Sequence, residues 1–334
     1  MKKIKKPWLL LALFLLTAML LSCGCGKQQE LTTVRVNEVT HSIFYAPFYL
    51  AMEQGYFAEE GIEIELVNGG GSDKSMTALL SDQADVGLMG PETAVYVRNE
   101  GRENYAVIVA QVTKKDGSFL LGKKPDEHFS WDKLRGASVI GGRSGGMPEM
   151  TLEYVLKQRG LTPNVDVTVR TDVQFDLMGG AFIAGADDYV TMFEPSASTM
   201  HLADQGYIVA SVGEEAGDVP YTCLMVTKNY LQDQPELVEA FVRAVYKGQQ
   251  YIQSHSAADI AQAVLPSFPD SDLELVTTVV QRYLDIDVWK DEPMMVEEDY
   301  QRLLAIIREA GIIDEAPEME DFVDNSIGQK VVKK

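Results

Sequence analysis

The sequence predicts an α/β protein built as two lobes, and three observations carry that prediction. Short apolar runs alternate with helix-like segments through most of the 334 residues. Several of these runs, such as 106–112, are apolar without polar alternation, as parallel strands covered by helices on both faces are. From about residue 229 onward the chain reads almost wholly helical. An α/β front with a helical tail suits two lobes joined by crossovers rather than two separate beads.

In chain order, strands are expected at 34–39, 62–67, 85–89, 106–112, 119–121, 137–140, 165–169, 189–192, 207–211 and 221–227. A helix over 47–57 opens with Pro47 at its first position, where the missing N–H costs nothing and φ is preset; Pro148 repeats the device over 148–159. A further helix over 74–80 follows a glycine-rich turn. The segment 235–254 places Val238, Phe241, Val242, Val245 and Ile252 on one helical face. Helices over 257–265, 272–289 and 296–310 complete the tail. Polar residues around 114–126 mark the first crossover, and the Gly-, Glu-, Asp- and Pro-rich stretch 213–220 marks the return. The expected lobes are therefore 32–118 with 220–325 for lobe I, and 119–219 for lobe II.

The first 31 residues precede this body. Lys2, Lys3, Lys5 and Lys6 lead into an apolar run over 8–21, interrupted only by Thr17. That run is short of the ~20 residues a helix needs to cross a bilayer, and a basic start before a short apolar stretch is the pattern of a secretory signal. It ends in Leu20-Leu21-Ser22-Cys23, which resembles a lipobox, where the cysteine is acylated and becomes the new N-terminus. Residues 1–22 are read as a lipoprotein signal peptide, Cys23 as the lipidation site and 23–31 as a polar tether. Cys25 is a second candidate, and an uncleaved anchor is the alternative. The expected location is the extracytoplasmic face of the cell membrane, held by lipid rather than by a spanning helix.

Net charge is −21; without the four signal lysines, 25 basic residues face 50 acidic ones, a net −25. Such acidity disfavours nucleic acid or an anionic membrane surface as a partner. About 312 mature residues suffice for two cores, and a monomer is expected. Beyond the two near the anchor, only Cys223 remains, inside a strand-like run, so it reads as a buried thiol rather than a nucleophile. His41, His128, His201 and His255 are dispersed, with no metal-ligand spacing. No cofactor motif and no catalytic arrangement stand out.

Three strand–helix turns are candidate ligand contacts, because ligands of open parallel sheets bind outside the carboxyl ends of strands. The first, 41–49, offers His41, Phe44 and Tyr45 as ring and hydroxyl contacts, each equally readable as structural; Phe48 and Tyr49 read as core. The second offers Gly70, Gly71 and Ser72, whose glycines permit close backbone approach at a helix start; Ser72 or Asp73 is alternatively an N-cap. The third, 141–147, offers Arg143, Ser144, Gly145 and Gly146, suited to an anionic group or a polar ring edge, or else a salt bridge on a turn. Gly90 and Thr93 add a smaller strand-to-helix step. Glu194 either accepts from a ligand N–H or caps the following helix. Two facing glycine-opened turns form a cleft able to close on a solute.

On these residues the chain resembles the solute-binding proteins for aliphatic sulfonates, taurine, nitrate and thiamine-pyrimidine precursors. The run from Ala46-Pro47-Phe48-Tyr49 to Glu60-Gly61-Ile62 is similar to that family's opening helix, and Ala84-Asp85-Val86-Gly87 to a following step. The resemblance implies a type II periplasmic-binding-protein fold: two α/β lobes hinged by two crossovers, with the ligand between them. It implies a small-molecule solute, a thiamine-pyrimidine precursor or related heterocycle, delivered to ABC permease and ATPase subunits. A sulfonate-, taurine- or nitrate-type anion is the alternative ligand. The resemblance also includes fungal pyrimidine synthases that hold pyridoxal phosphate on a lysine and sacrifice a histidine. Here Tyr45 stands where that histidine aligns and no lysine occurs between Lys27 and Lys74, so a binding protein without a cofactor, not an enzyme, is expected.

Overall fold

The structure, a computed structural model, describes residues 31–313, 315 and 317–333. The signal sequence, Cys23, Cys25 and nearly all of the tether lie outside the described residues. Ten strands appear: β1 (Thr32–Glu38), β2 (Ile62–Asn68), β3 (Val86–Met89), β4 (Ala106–Thr113), β5 (Ser118–Gly122), β6 (Ser138–Ile140), β7 (Thr168–Arg170), β8 (Tyr189–Phe193), β9 (Tyr207–Ser211) and β10 (Thr222–Thr227). They form two five-stranded sheets, β2-β1-β3-β10-β4 and β7-β6-β8-β5-β9. The chain leaves the first sheet after Thr113, builds the second, and returns at Thr222. Each sheet with its flanking helices is a lobe.

The sheets are mixed, not purely parallel. Strand β1 pairs in parallel with β2 and β3, and β6 with β7 and β8. Strands β10 and β5 instead run against both of their neighbours. The crossovers dictate this. Strands β4 and β9 run toward the hinge and leave through it, so β5 and β10, which enter from it, point the opposite way. Every residue of β4 and β10 is buried, which explains why both are apolar apart from Gln111 and the threonines at their ends.

The expected first helix divides into Ala46–Glu53 and Tyr56–Glu59, with Gly55 between them at φ 75°. Such a left-handed position ends a helix, and glycine takes it at least cost. The helix Pro235–Ser254 buries Val238, Phe241, Val242, Val245 and Ile252 as its periodicity predicts. It packs on Ala46–Glu53 so closely that a Cβ at Gly248 would lie 2.0 Å from the Pro47 carbonyl oxygen.

Short helices at Met178–Ala184, Ser196–Leu202, Lys228–Asp233 and Asn325–Val332 are not legible in the apolar pattern. Val212–Ala216 is helical inside the expected return crossover. At about two turns each, such segments owe their form to tertiary packing; Met178 and Phe182 anchor the first of them in the core.

The helical tail belongs to both lobes. Tyr283 Oη donates to the Gly117 carbonyl at 3.0 Å and accepts from Glu194 N at 3.2 Å. Farther along, Lys157 Nζ donates to the Glu309 carbonyl at 2.8 Å, tying the helix Glu297–Glu309 to lobe II. The tail therefore braces the hinge from behind.

Candidate ligand-binding site

The carboxyl ends of β1, β2 and β3 face those of β6, β7 and β8 across a cavity of about 240 Å³. From lobe I come Val39, Thr40 and Tyr45, the turn 70–74, and Gly90; Tyr221 and Thr222 enter from the return crossover. Lobe II contributes Arg143, Gly146, Met147 and Pro148, the segment 171–175, and Phe193.

One side of the cavity is aromatic. Tyr45 ends the 3₁₀ turn Ile43–Tyr45, which Ser42 caps by accepting from Phe44 N at 3.2 Å. Phe175 and Phe193 lie 5.7 Å apart between ring centres, and Phe193 and Tyr221 6.2 Å. Burial holds the Tyr45 and Tyr221 phenols far above their usual range, so both remain protonated donors. Rings set this way offer flat faces to a planar solute.

The other side is polar and joins the lobes. Arg143 Nε lies 3.2 Å from Asp73 Oδ1 across the cleft, and Arg143 Nη1 donates to the Ser144 carbonyl at 3.0 Å. Nearby, Tyr96 Oη donates to the Gly145 carbonyl at 3.0 Å. The helices Ser72–Leu80 and Met147–Gln158 both start at the cavity, and neither has a side-chain cap. The first N–H groups of Ser72–Leu80 are open to a ligand, whereas in the second helix Pro148 has no N–H and only Met147 precedes it. Ser72 is thus not the cap that the turn suggested; its hydroxyl accepts weakly from Gly90 N at 3.4 Å. Gly71 sits at φ 153° with Asp73 Oδ1 2.8 Å from where a Cβ would be, so that turn requires glycine.

Glu92, at the start of the helix Glu92–Asn99, has no exposed surface, and neither carboxylate oxygen makes a hydrogen bond. Burial pushes its carboxyl up to about 7, while Arg143 and the backbone N–H groups of Glu92, Met147 and Thr93 pull weakly the other way. Raised in the folded state above its ordinary value of 4.5, this group withdraws stability as pH climbs from about 4.5 through 7. Glu92→Gln is therefore expected to match the wild type below pH 4.5 and to exceed it by about 3 kcal/mol above pH 7. Urea unfolding at pH 4 and pH 8 measures the difference.

Residues 43–258 match the family described as NMT1/THI5 like. The chain belongs to the NMT1/THI5-like family. It is 38% identical over 320 residues to YtlA of Bacillus subtilis, described as a candidate binding protein, across 96% of this chain and 95% of that one. In structure it is similar to the ligand-binding component of an ABC-type import system from Staphylococcus aureus, solved with zinc bound. The TM-score is 0.73 at 14% identity, covering 91% of this chain and 100% of the other. It is also similar to the alkanesulfonate-binding protein SsuA of Xanthomonas axonopodis pv. citri bound to MOPS, with TM-score 0.69, 15% identity, and coverage of 88% and 99%. The architecture is the periplasmic-binding-protein fold.

Within this NMT1/THI5-like chain, the structure brings Tyr45, Gly70, Gly71, Ser72, Gly90, Arg143 and Gly146 to one cavity. The other expected contacts lie elsewhere. Phe44 is 1% exposed and packs into the hinge. His41 contacts Glu38 through Nδ1 at 3.0 Å and the Ser267 carbonyl through Nε2 at 2.7 Å. The bond to Glu38 raises its pKa. Thr93 is buried with its hydroxyl on the Gly90 carbonyl at 2.8 Å. Ser144 faces solvent, and Gly145 N donates to Glu149 Oε2 at 3.1 Å. Glu194 caps the helix Ser196–Leu202, accepting from Ser198 N and Ser198 Oγ at 2.8 Å each, and pairs with Arg282. His41 and Glu194 do line a smaller hollow that adjoins the cavity through Thr40, Phe175 and Phe193.

The segment 171–175, Phe193 and Tyr221 are cavity residues that the turn pattern did not single out. The signal was available for the first: 171–175 follows β7 at its carboxyl end, as the turns after β2 and β6 do. Among the described residues no group of three or more His, Cys, Asp or Glu is placed to hold a metal. Cys223 is buried in β10, and burial raises its thiol well above the reactive range.

Proposed function

We propose that this chain is the extracytoplasmic solute-binding component of an ABC importer, anchored through acylated Cys23, and that its cleft takes a small planar heterocycle such as a thiamine-pyrimidine precursor. The observation that carries the ligand class is the ring wall of Tyr45, Phe175, Phe193 and Tyr221 on one side of a cavity of about 240 Å³. That volume suits a single small ring system, and stacked faces reward a flat one. Membership of the family and the likeness to importer components support the transport role. The hinge-bent plan supports capture by closure.

Calorimetric titration of the purified protein with pyrimidine precursors, taurine and nitrate tests the ligand class. Heat with a pyrimidine and none with the anions is the expected result; the reverse overturns it. Tyr45→Ala and Arg143→Ala are each expected to weaken pyrimidine binding by about 1–3 kcal/mol, read as a rise in Kd in the same titration. The mass of the mature N-terminus checks the anchor on Cys23.

One arrangement favours a second reading, an anion binder of the sulfonate or nitrate type: Arg143 beside two uncapped helix starts. The buried, unpartnered Glu92 behind the same wall opposes a bound anion, which is why the heterocycle is preferred. An enzyme of the pyrimidine-synthase kind would need a lysine for pyridoxal phosphate. Lys74 lines the cavity and is the lysine such an enzyme would use, so incubation with the cofactor is the test: a binding protein is expected to form no reducible Schiff base.

A further inference from the structure

Two features of the cleft suit an anion, the Arg143 guanidinium and the open start of the helix Ser72–Leu80, and one side chain answers both. Asp73 lies in the first turn of that helix. A carboxylate there offsets the partial positive charge of the unpaired N–H groups. Its Oδ1 also stands 3.2 Å from Arg143 Nε, across the cleft on lobe II. Gly71 makes this placement possible, because at φ 153° a Cβ would lie 2.8 Å from the same oxygen. Asp73 and Arg143 both line the cavity.

The next residue repeats the arrangement with the signs exchanged. Lys74 of lobe I also lines the cavity. Its Nζ lies 3.4 Å from where a Gly70 Cβ would be, and Asp176 Oδ2 of lobe II lies 3.0 Å from the same point. Each of these cations at the mouth therefore has a carboxylate of the opposite lobe set toward it. The Asp73–Arg143 pair is well exposed, with side chains 51% and 39% accessible. Such pairs contribute little to stability. A cation committed to a weak pair inside a binding cleft points instead to discrimination, which often rests on a group that repels the wrong ligand.

Resting on the heterocycle reading above, we propose that Asp73 is a specificity-determining residue of the cleft. It occupies the Arg143 guanidinium and neutralises the helix start, so an anionic head finds no open positive group there. A sulfonate or nitrate at Arg143 must displace a carboxylate that the chain keeps in place, and then lies beside it as a like charge. A neutral flat ring needs no cation and meets the aromatic wall instead.

Calorimetry with methanesulfonate and nitrate at low ionic strength tests the assignment. The wild-type protein is expected to give no saturable heat with either anion. Asp73→Asn keeps the shape and removes the charge, and is expected to bind at least one of them with a Kd about tenfold or more below the wild-type limit. Its melting temperature should stay close to that of the wild type, since the pair is exposed. Adding Arg143→Gln should abolish the gain, because the released guanidinium is its source. Asp172→Asn removes an equal charge from the cavity wall, but its partner Arg170 does not line the cavity, so no anion binding should appear. No gain in Asp73→Asn, a gain that survives Arg143→Gln, or an equal gain in Asp172→Asn overturns the role of Asp73. The heterocycle reading still stands in those cases if the wild type binds 4-amino-2-methylpyrimidine. Wild-type protein that binds methanesulfonate as tightly as Asp73→Asn does, and does not bind the pyrimidine, overturns both.

Discussion

Truncating Phe44 to alanine is expected to lower the unfolding free energy by about 3–5 kcal/mol. The ring is 1% exposed and lies 5.5–5.8 Å, centre to centre, from those of Tyr45, Phe193, Tyr221 and Tyr283. Those partners come from the opening turn, the second lobe, the return crossover and the tail. The first crossover meets the ring as well, since a Cβ at Gly117 would lie 2.4 Å from two of its carbons. Trp289 Nε1 donates to the Phe44 carbonyl at 2.9 Å and fixes the backbone beneath. A ring held from five directions by separate chain segments cannot be replaced by local collapse, so the cavity term adds fully to the lost transfer energy. Urea unfolding gives the value, and a loss under about 1 kcal/mol would show that the hinge repacks around the gap.

Arg282→Met is the second large effect, at about 3–5 kcal/mol. Glu194 has a fully buried side chain, and Arg282 is the cation that meets it, with Ser198 donating to the same carboxylate. Removing the guanidinium leaves a charge in the interior, and that penalty exceeds what the pair contributes over apolar replacements. Glu194→Gln added to Arg282→Met should therefore recover most of the loss. A double-mutant cycle by urea unfolding reads this directly. If the double variant is no more stable than the single one, the ion pair is not what Arg282 supplies. Since Glu194 belongs to lobe II and Arg282 to the tail, the single variant should also loosen the brace across the hinge.

Adjacent residues show where reading the chain stops. Phe44 and Tyr45 share one 3₁₀ turn, and both are aromatic and buried. One plugs the hinge and the other lines the cavity. The turn they occupy is legible in the sequence; which ring faces which space depends on Gly117, Phe193 and Tyr283, residues 73 to 239 positions along the chain from Phe44. Arg143 was open between ligand contact and salt bridge, and the structure gives it both surroundings, because Asp73 stands opposite it on the other lobe. Glu194 was open in the same way, and Ser198 at the next helical turn with Arg282 behind it makes it a cap. Glu92 lies in the strand-to-helix step with Gly90 and Thr93 but carries no signal of its own. An acidic residue in a first helical turn is ordinary in sequence, and only its enclosure by a distant helix start sets it apart.

Local patterning is enough to place the strands, apart from β7, which forms at Thr168–Arg170 rather than over 165–169, together with the long tail helices, the two-lobe plan and the glycine-opened turns. These follow from local periodicity and backbone conformation, properties a short window of residues expresses alone. Tertiary structure decided the antiparallel entry of β5 and β10, the short helices, the tail as a brace, and which side chains share the cavity. Those outcomes depend on contacts between segments far apart in the chain. Burial and hydrogen bonding become defined only when the segments meet.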